Sequence, residues 1–224
     1  VNVLRNNLDK VISRIEKARI AYSRHQIINF IAVSKYSEIL DIEKMYELGQ
    51  RAFGENKVQD LKTKSQTLTD LPIQWHMIGT LQENKINALL ALKPALFHSL
   101  DSIKLAKTIE KKAEGSQTSL KALLQVNSSY ENTKSGVLPQ EAKEIYQEIS
   151  KNCPHIKLEG IMTIGPTSNN TKAIESCFKK TKDIFDSLQS EGAKTLSMGM
   201  SGDFEIAIAC GGNMLRLGSV LFQK

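Results

Sequence analysis

Short runs of branched and apolar residues alternate eight times with longer, charged, amphipathic segments along this chain, and nothing else constrains its fold as strongly. The runs at 29–34, 51–53, 73–78, 95–100, 120–126, 157–162, 195–197 and 213–217 predict strands. The segments near 38–49, 55–68, 82–92, 101–114, 139–152, 171–190 and 202–210 predict helices between them. Asp101 and Pro139 stand where helices should begin, Gly49 and Gly192 where they should end. Alternation without hairpin signals implies parallel strands joined by crossover helices. Eight such units predict an α/β fold, a closed (β/α)8 barrel, for which about 250 residues is typical; an open doubly wound sheet is the alternative. No compositional boundary marks a second domain, so residues 1–224 are expected to form one barrel domain. Ahead of the first strand, Leu4, Leu8, Val11, Ile12, Ile15 and Ala18 recur at helical spacing and predict an extra N-terminal helix docked on the body.

The net charge of +6 raises the question of nucleic acid. Lysines supply most of it and sit on predicted helix faces, as at Lys104, Lys107, Lys111 and Lys112, with no aromatic residues interleaved. A solvated basic surface that favours anionic ligands is the better reading. No apolar run approaches the ~20 residues of a membrane span, and no secretory h-region opens the chain, so the cytoplasm is the expected location. Cys153, Cys177 and Cys210 lack metal-type spacing and an even count, which argues against a disulfide framework or a zinc site.

Polar and small residues collect just after the predicted strands: Lys35, then Glu55 and Asn56, His76 and Gly79, Ser99, Asn127, Met162 and Thr163, the stretch SMGMSGD (197–203), and RLGS (216–219). In a barrel these positions share the rim where active sites are built. Lys35 follows a buried strand, and an amine held at the mouth loses hydration and gains nucleophilicity, enough to form an imine with an aldehyde. Ser201 and Asp203 are expected to open a helix whose free N–H groups attract an anion, with Gly202 allowing close backbone approach and Gly218 and Ser219 adding donors next door. Together these suit a ligand carrying both a phosphate and an aldehyde. Arg216, between Leu215 and Leu217, needs a partner if it points inward. A pyridine nitrogen is one candidate, the carboxylate of Glu205 or Glu55 the other.

Eleven short segments carry a resemblance to a known family: AVSK (32–35), GQRAFGEN (49–56), WHMIG (75–79) with LQ (81–82) and NK (84–85), HSLD (98–101), LQVN (124–127), KSG (134–136), GIMT (160–163), SMGMSGD (197–203) and RLG (216–218). In order and nearly end to end, the chain resembles the YggS or proline synthase co-transcribed homologue family, the pyridoxal 5'-phosphate (PLP) homeostasis proteins. The resemblance implies a barrel like the N-terminal domain of alanine racemase, a fold-type III PLP protein, with PLP held as a Schiff base on Lys35. It implies that Ser201, Gly202 and the backbone of Gly218 and Ser219 hold the phosphate, that Arg216 lies near the pyridine nitrogen, and that Asn56, His76, Met162 and Met198 line the cofactor pocket. Leu217, Ser219 and Tyr36 depart from the usual isoleucine, threonine and threonine.

An arginine beside the ring nitrogen leaves the pyridine largely unprotonated and the cofactor a weak electron sink. A racemase also needs an acid–base pair on opposite faces of its substrate. The expected function is therefore binding, buffering or carriage of PLP in vitamin B6 homeostasis, with no catalytic residue and no metal; a fold-type III racemase or decarboxylase is the alternative. Expected partners are PLP, with amino acids or PLP-dependent apoenzymes as further ones, and the chain is expected to be a monomer, a dimer being the alternative. Lys134 reads either as a second aldehyde acceptor or as an exposed loop lysine. His25, His98 and His155 read as structural or surface residues, His76 as pocket lining or strand packing, and Trp75 as packed against helices.

Overall fold

A computed structural model describes residues 2–223. Eight parallel strands close into a barrel: β1 (Asn29–Val33), β2 (Ala52–Glu55), β3 (Gln74–Met77), β4 (Leu96–Leu100), β5 (Leu120–Gln125), β6 (Ile156–Met162), β7 (Thr195–Ser197) and β8 (Met214–Leu217). Each pairs with the next in sequence, and β8 pairs with β1 from Met214 opposite Asn29 to Leu217 opposite Ala32. That last ladder rules out the open sheet. The helices follow the alternation: α1 (Asn2–Tyr22) ahead of β1, then α2 (Ile39–Glu47), α3 (Val58–Thr67), α4 (Ile86–Leu92), α5 (Ile103–Gly115), α6 (Ala142–Asn152), α7 (Thr171–Ser187) and α8 (Phe204–Ala209) between strands, and a single turn, α9 (Ser219–Phe222), after β8.

Apolar side chains separate into two layers because strand residues alternate in direction. The larger layer, with Phe53, Phe97, Phe178 and Phe204 fully buried, fills the space between barrel and helices. A smaller one, Leu96, Leu123 and Met162 with Ile164 and Met214 against them, is separate from it, as expected of a barrel interior. Trp75 joins the outer layer, its ring 6.1 Å from that of Phe53.

Two helix boundaries differ from the sequence expectation. Ser102 rather than Asp101 caps α5, its hydroxyl accepting from the Leu105 amide at 3.2 Å. Pro139 precedes α6 by a turn instead of opening it. In α1, Leu4, Leu8, Val11 and Ile15 are buried and Ile12 lies off the stripe, 43% exposed. This helix packs on α8 and α9, the two elements that follow the SMGMSGD and RLG segments. Asn7 Nδ2 donates to the carbonyls of Leu221 (3.2 Å) and Gln223 (2.9 Å). No helix among the described residues is long and apolar enough to cross a membrane.

Candidate functional site

The last loops converge as their sequence suggests, by a different contact. Helix α8 starts at Phe204, with Asp203 in the cap position and its Oδ1 accepting from the Met200 amide at 2.6 Å. Ser201 therefore does not cap α8. Its Oγ instead accepts from the backbone N–H groups of Gly218 (3.3 Å) and Val220 (3.4 Å), which joins the loop after β7 to the turn after β8. Gly202 faces open space and Ser219 is exposed. Gly199 is required there: its φ is +97°, and a Cβ would meet Ala207 Cβ at 2.7 Å.

Arg216 points into the barrel and is 5% exposed. Neither carboxylate expected for it is its partner: Glu205 forms a bidentate pair with Arg14 of α1, and Glu55 pairs with Lys64. Its Nη1 donates to Ser197 Oγ at 2.7 Å and its Nη2 to the Thr163 carbonyl at 2.8 Å. Nε–H has no protein partner among the described residues. Burial pushes the guanidinium down to about 10, partly offset by Asp203. A cation this deep with N–H donors left over, Nε–H among them, suits an acceptor on a bound molecule.

Lys35 is brought to the same strand end, since β1 lies beside β8 and a Cβ on Gly218 would sit 3.4 Å from the Val33 carbonyl. The expected loss of hydration is not found. A turn closed by Ser37 N–H donating to the Ser34 carbonyl at 2.9 Å carries residues 35 and 36 beyond the strand. Lys35 is exposed, and its Nζ lies 4.9 Å from the centre of the Tyr36 ring, itself 88% exposed. Asn56 is half-buried at the end of β2, and its carbonyl lies so close to Gly79 that a Cβ there would meet it at 2.0 Å. Gly79 thus sets the height of Asn56.

The other expected lining residues are spread. Met162 belongs to the inner apolar layer. Met198 belongs to the outer one: Ser197 faces in to Arg216, so the next side chain faces the helices, close against Gly212. His76 is buried and its Nδ1 lies 3.0 Å from His98 Nε2. Lys134 is neither free nor exposed; its Nζ donates to the Gly165 carbonyl at 2.5 Å and pairs with Glu131 at 3.1 Å, so it braces two rim loops.

Lys64 and His98 lie outside the set of site residues expected from the sequence. Lys64 continues the buried stripe of Val58 and Leu61, a position where a lysine needs a partner, and it finds Glu55 at 2.8 Å. His98 and Ser197 occupy inward positions of β4 and β7, where apolar side chains would otherwise stand.

Residues 5–224 match the family model for the alanine racemase N-terminal domain. A protein of Helicobacter pylori (strain ATCC 700392 / 26695) called pyridoxal phosphate homeostasis protein is 60% identical over 220 residues, 98% of each chain. One from Aquifex aeolicus with the same name is 38% identical, covering 97% of this chain and 96% of its own. Among solved structures, PipY of Synechococcus elongatus with PLP bound superposes with a TM-score of 0.81 at 29% identity, over 98% of this chain and 99% of that one. Alanine racemase of Clostridium difficile shares the fold, with a TM-score of 0.79 at 18% identity over 99% of this chain and 56% of that one.

Proposed function

This chain belongs to the pyridoxal phosphate homeostasis proteins, within the alanine racemase N-terminal domain family, and from that membership we propose that it binds PLP and serves intracellular PLP homeostasis. The observation that carries the reading is the set of donors at one strand end: Ser201 with the amides of Gly218 and Val220, the buried Arg216 with a spare N–H, and the Lys35 amine on the neighbouring strand. That donor set fits the cofactor. The amides, Ser201 and Gly202 would bind its phosphate, Arg216 would donate to the ring nitrogen, and Asn56 and Met162 would lie beside the ring.

PLP supplies an electrophilic carbonyl carbon and a ring that can withdraw electrons. Lys35 would present its amine to that carbon, once its flexible stem leaves the Tyr36 ring. Arg216 holds its own proton tightly and does not protonate the ring nitrogen as a carboxylic acid would, so the electron sink is weak. This favours holding the cofactor over turning substrates over, and the racemase or decarboxylase reading loses ground with it. The assignment of residues 1–224 to one PLP-binding domain in the cytoplasm, acting as a monomer, belongs to the same proposal.

Borohydride reduction of the PLP-loaded protein followed by peptide mapping tests it. Pyridoxyl on Lys35 is expected, and no reducible label after Lys35→Ala. Label confined to other lysines would overturn the assignment.

A further inference from the structure

The barrel interior carries a polar chain that the rim site does not use up. His98 Nδ1, on β4, lies 3.1 Å from Ser197 Oγ, on β7, so this bond crosses the barrel. Ser197 accepts from Arg216, and His98 Nε2 faces His76 Nδ1 at 3.0 Å. All four side chains are buried.

Counting protons fixes the direction of this chain. Arg216 can only donate. Among the described residues the Ser197 hydroxyl has no acceptor except His98 Nδ1; were His98 to donate there instead, the hydroxyl hydrogen would be buried with no partner. Every proton is used only if Ser197 donates to His98 Nδ1 and His98 Nε2–H donates to His76 Nδ1. The remaining hydrogen is then on His76 Nε2. Burial holds His76 down to about 4 and His98 well below its ordinary value, so both rings are neutral at neutral pH and the chain keeps one sense.

His76 Nε2 has no partner among the described residues, and the residue is 6% exposed. It lines a half-open cleft of about 450 Å³. Asn29, Ala52, Gln74 and Met214, the first residues of β1, β2, β3 and β8, also line it, so it opens at the end of the barrel opposite Lys35. Arg51 stands in its wall, steadied by Nη1 donating to the carbonyls of Tyr46 (2.7 Å) and Gln50 (3.1 Å). No aspartate or glutamate is among the lining residues.

We propose that this cleft is a second ligand site, which takes a small organic carboxylate whose oxygen accepts the His76 Nε2 hydrogen while Arg51 balances its charge. A bound acceptor reinforces the direction the chain already has, and so reaches Arg216. This second step rests on the reading that Arg216 meets the cofactor's ring nitrogen; occupancy of the cleft does not.

The test uses cofactor-free protein labelled with 15N-histidine. Long-range 1H–15N spectra should show both His76 and His98 as Nε2–H tautomers. Acetate should then shift the His76 Nε2 resonance saturably, and Arg51→Ala, an exposed change, should weaken that binding at least about fivefold, as loss of a charge-assisted contact implies. Nδ1–H tautomers, no saturation at concentrations well above millimolar, or an equal shift with chloride would each overturn the site. With PLP loaded, acetate should also move the cofactor's visible band. If the histidine shift saturates and the band stays still, transmission to Arg216 is refuted and the site stands.

Discussion

The ammonium of Lys64 lies 2.6 Å from the carbonyl oxygen of Ser34, the residue immediately before Lys35. The same ammonium sits 2.8 Å from Glu55 Oε1, which also accepts from the Ser34 hydroxyl at 2.6 Å. Helix α3 thereby ties the end of β1 to the end of β2 just where the proposed cofactor lysine leaves the strand. Glu55 is fully buried, and its Oε2 has no hydrogen-bond partner among the described residues. The clamp is therefore held by one cation facing a carboxylate that has little else.

Removing that cation strands the carboxylate. Lys64→Met should destabilise the fold by about 3–5 kcal/mol, the usual cost of an uncompensated buried charge. Adding Glu55→Gln should recover most of the loss, because no charge then remains to be desolvated. Urea denaturation of the single and double variants checks this. Equal instability of the two would mean that the clamp works through packing and not through charge.

Tyr36 competes for the lysine. An exposed cation–π contact is worth about 0.5–1 kcal/mol, and Lys35 has to give it up to bond PLP. Tyr36→Thr should therefore raise the fraction of PLP bound to Lys35 at limiting cofactor by about twofold to fivefold, read from the visible absorbance. An unchanged titration would show that the ring contact carries no weight in the equilibrium.

Ser201 offers a way to separate the phosphate grip from the amine. Loss of one hydroxyl contact costs about 0.5–1.5 kcal/mol, so Ser201→Ala should weaken PLP binding by about twofold to tenfold. Pyridoxal, which lacks the phosphate, should bind the variant and the parent alike. Equilibrium dialysis with the two ligands makes the comparison, and an equal loss for both would place Ser201 elsewhere in the site's work.

Much of this architecture was legible because alternation, strand length and crossover spacing are local properties. Thr195–Ser197 agrees to the residue with the expected seventh strand, short as it is. The rim could be read too, since polar residues at the same end of successive strands have no packing reason to be there. Side-chain partners could not. Arg216 finds Ser197 and a carbonyl because β7 and β8 are neighbours and the loop after β6 reaches in, a fact of barrel closure that no spacing along the chain reports. Met198 faces outward because Ser197 faces inward, and that parity is fixed only once Arg216 has chosen its partner. The exposure of Lys35 depends on a turn closed by Ser37, a contact made by the loop and not by the strand before it.

The two buried histidines give the fold a pH dependence of known sign. An unfolded histidine takes up its proton near pH 6.5, whereas folded His76 is held down to about 4 by burial and His98 is held well below its ordinary value. Between these limits the unfolded state binds more protons, so stability is present in full above about pH 6.5 and is lost as pH falls toward 4. His76 alone accounts for about 3 kcal/mol over that window, and His98 adds in the same direction. Asp203, raised by its own burial, works in the opposite sense but only in the carboxylate range at the acid end. Denaturation free energies measured at intervals from pH 7.5 to 5 should fall steadily. The double variant His76→Gln with His98→Gln should be less stable at pH 7.5 yet show a much flatter profile, since neither glutamine can take a proton. A profile as steep in the double variant as in the parent would assign the acid sensitivity to other groups.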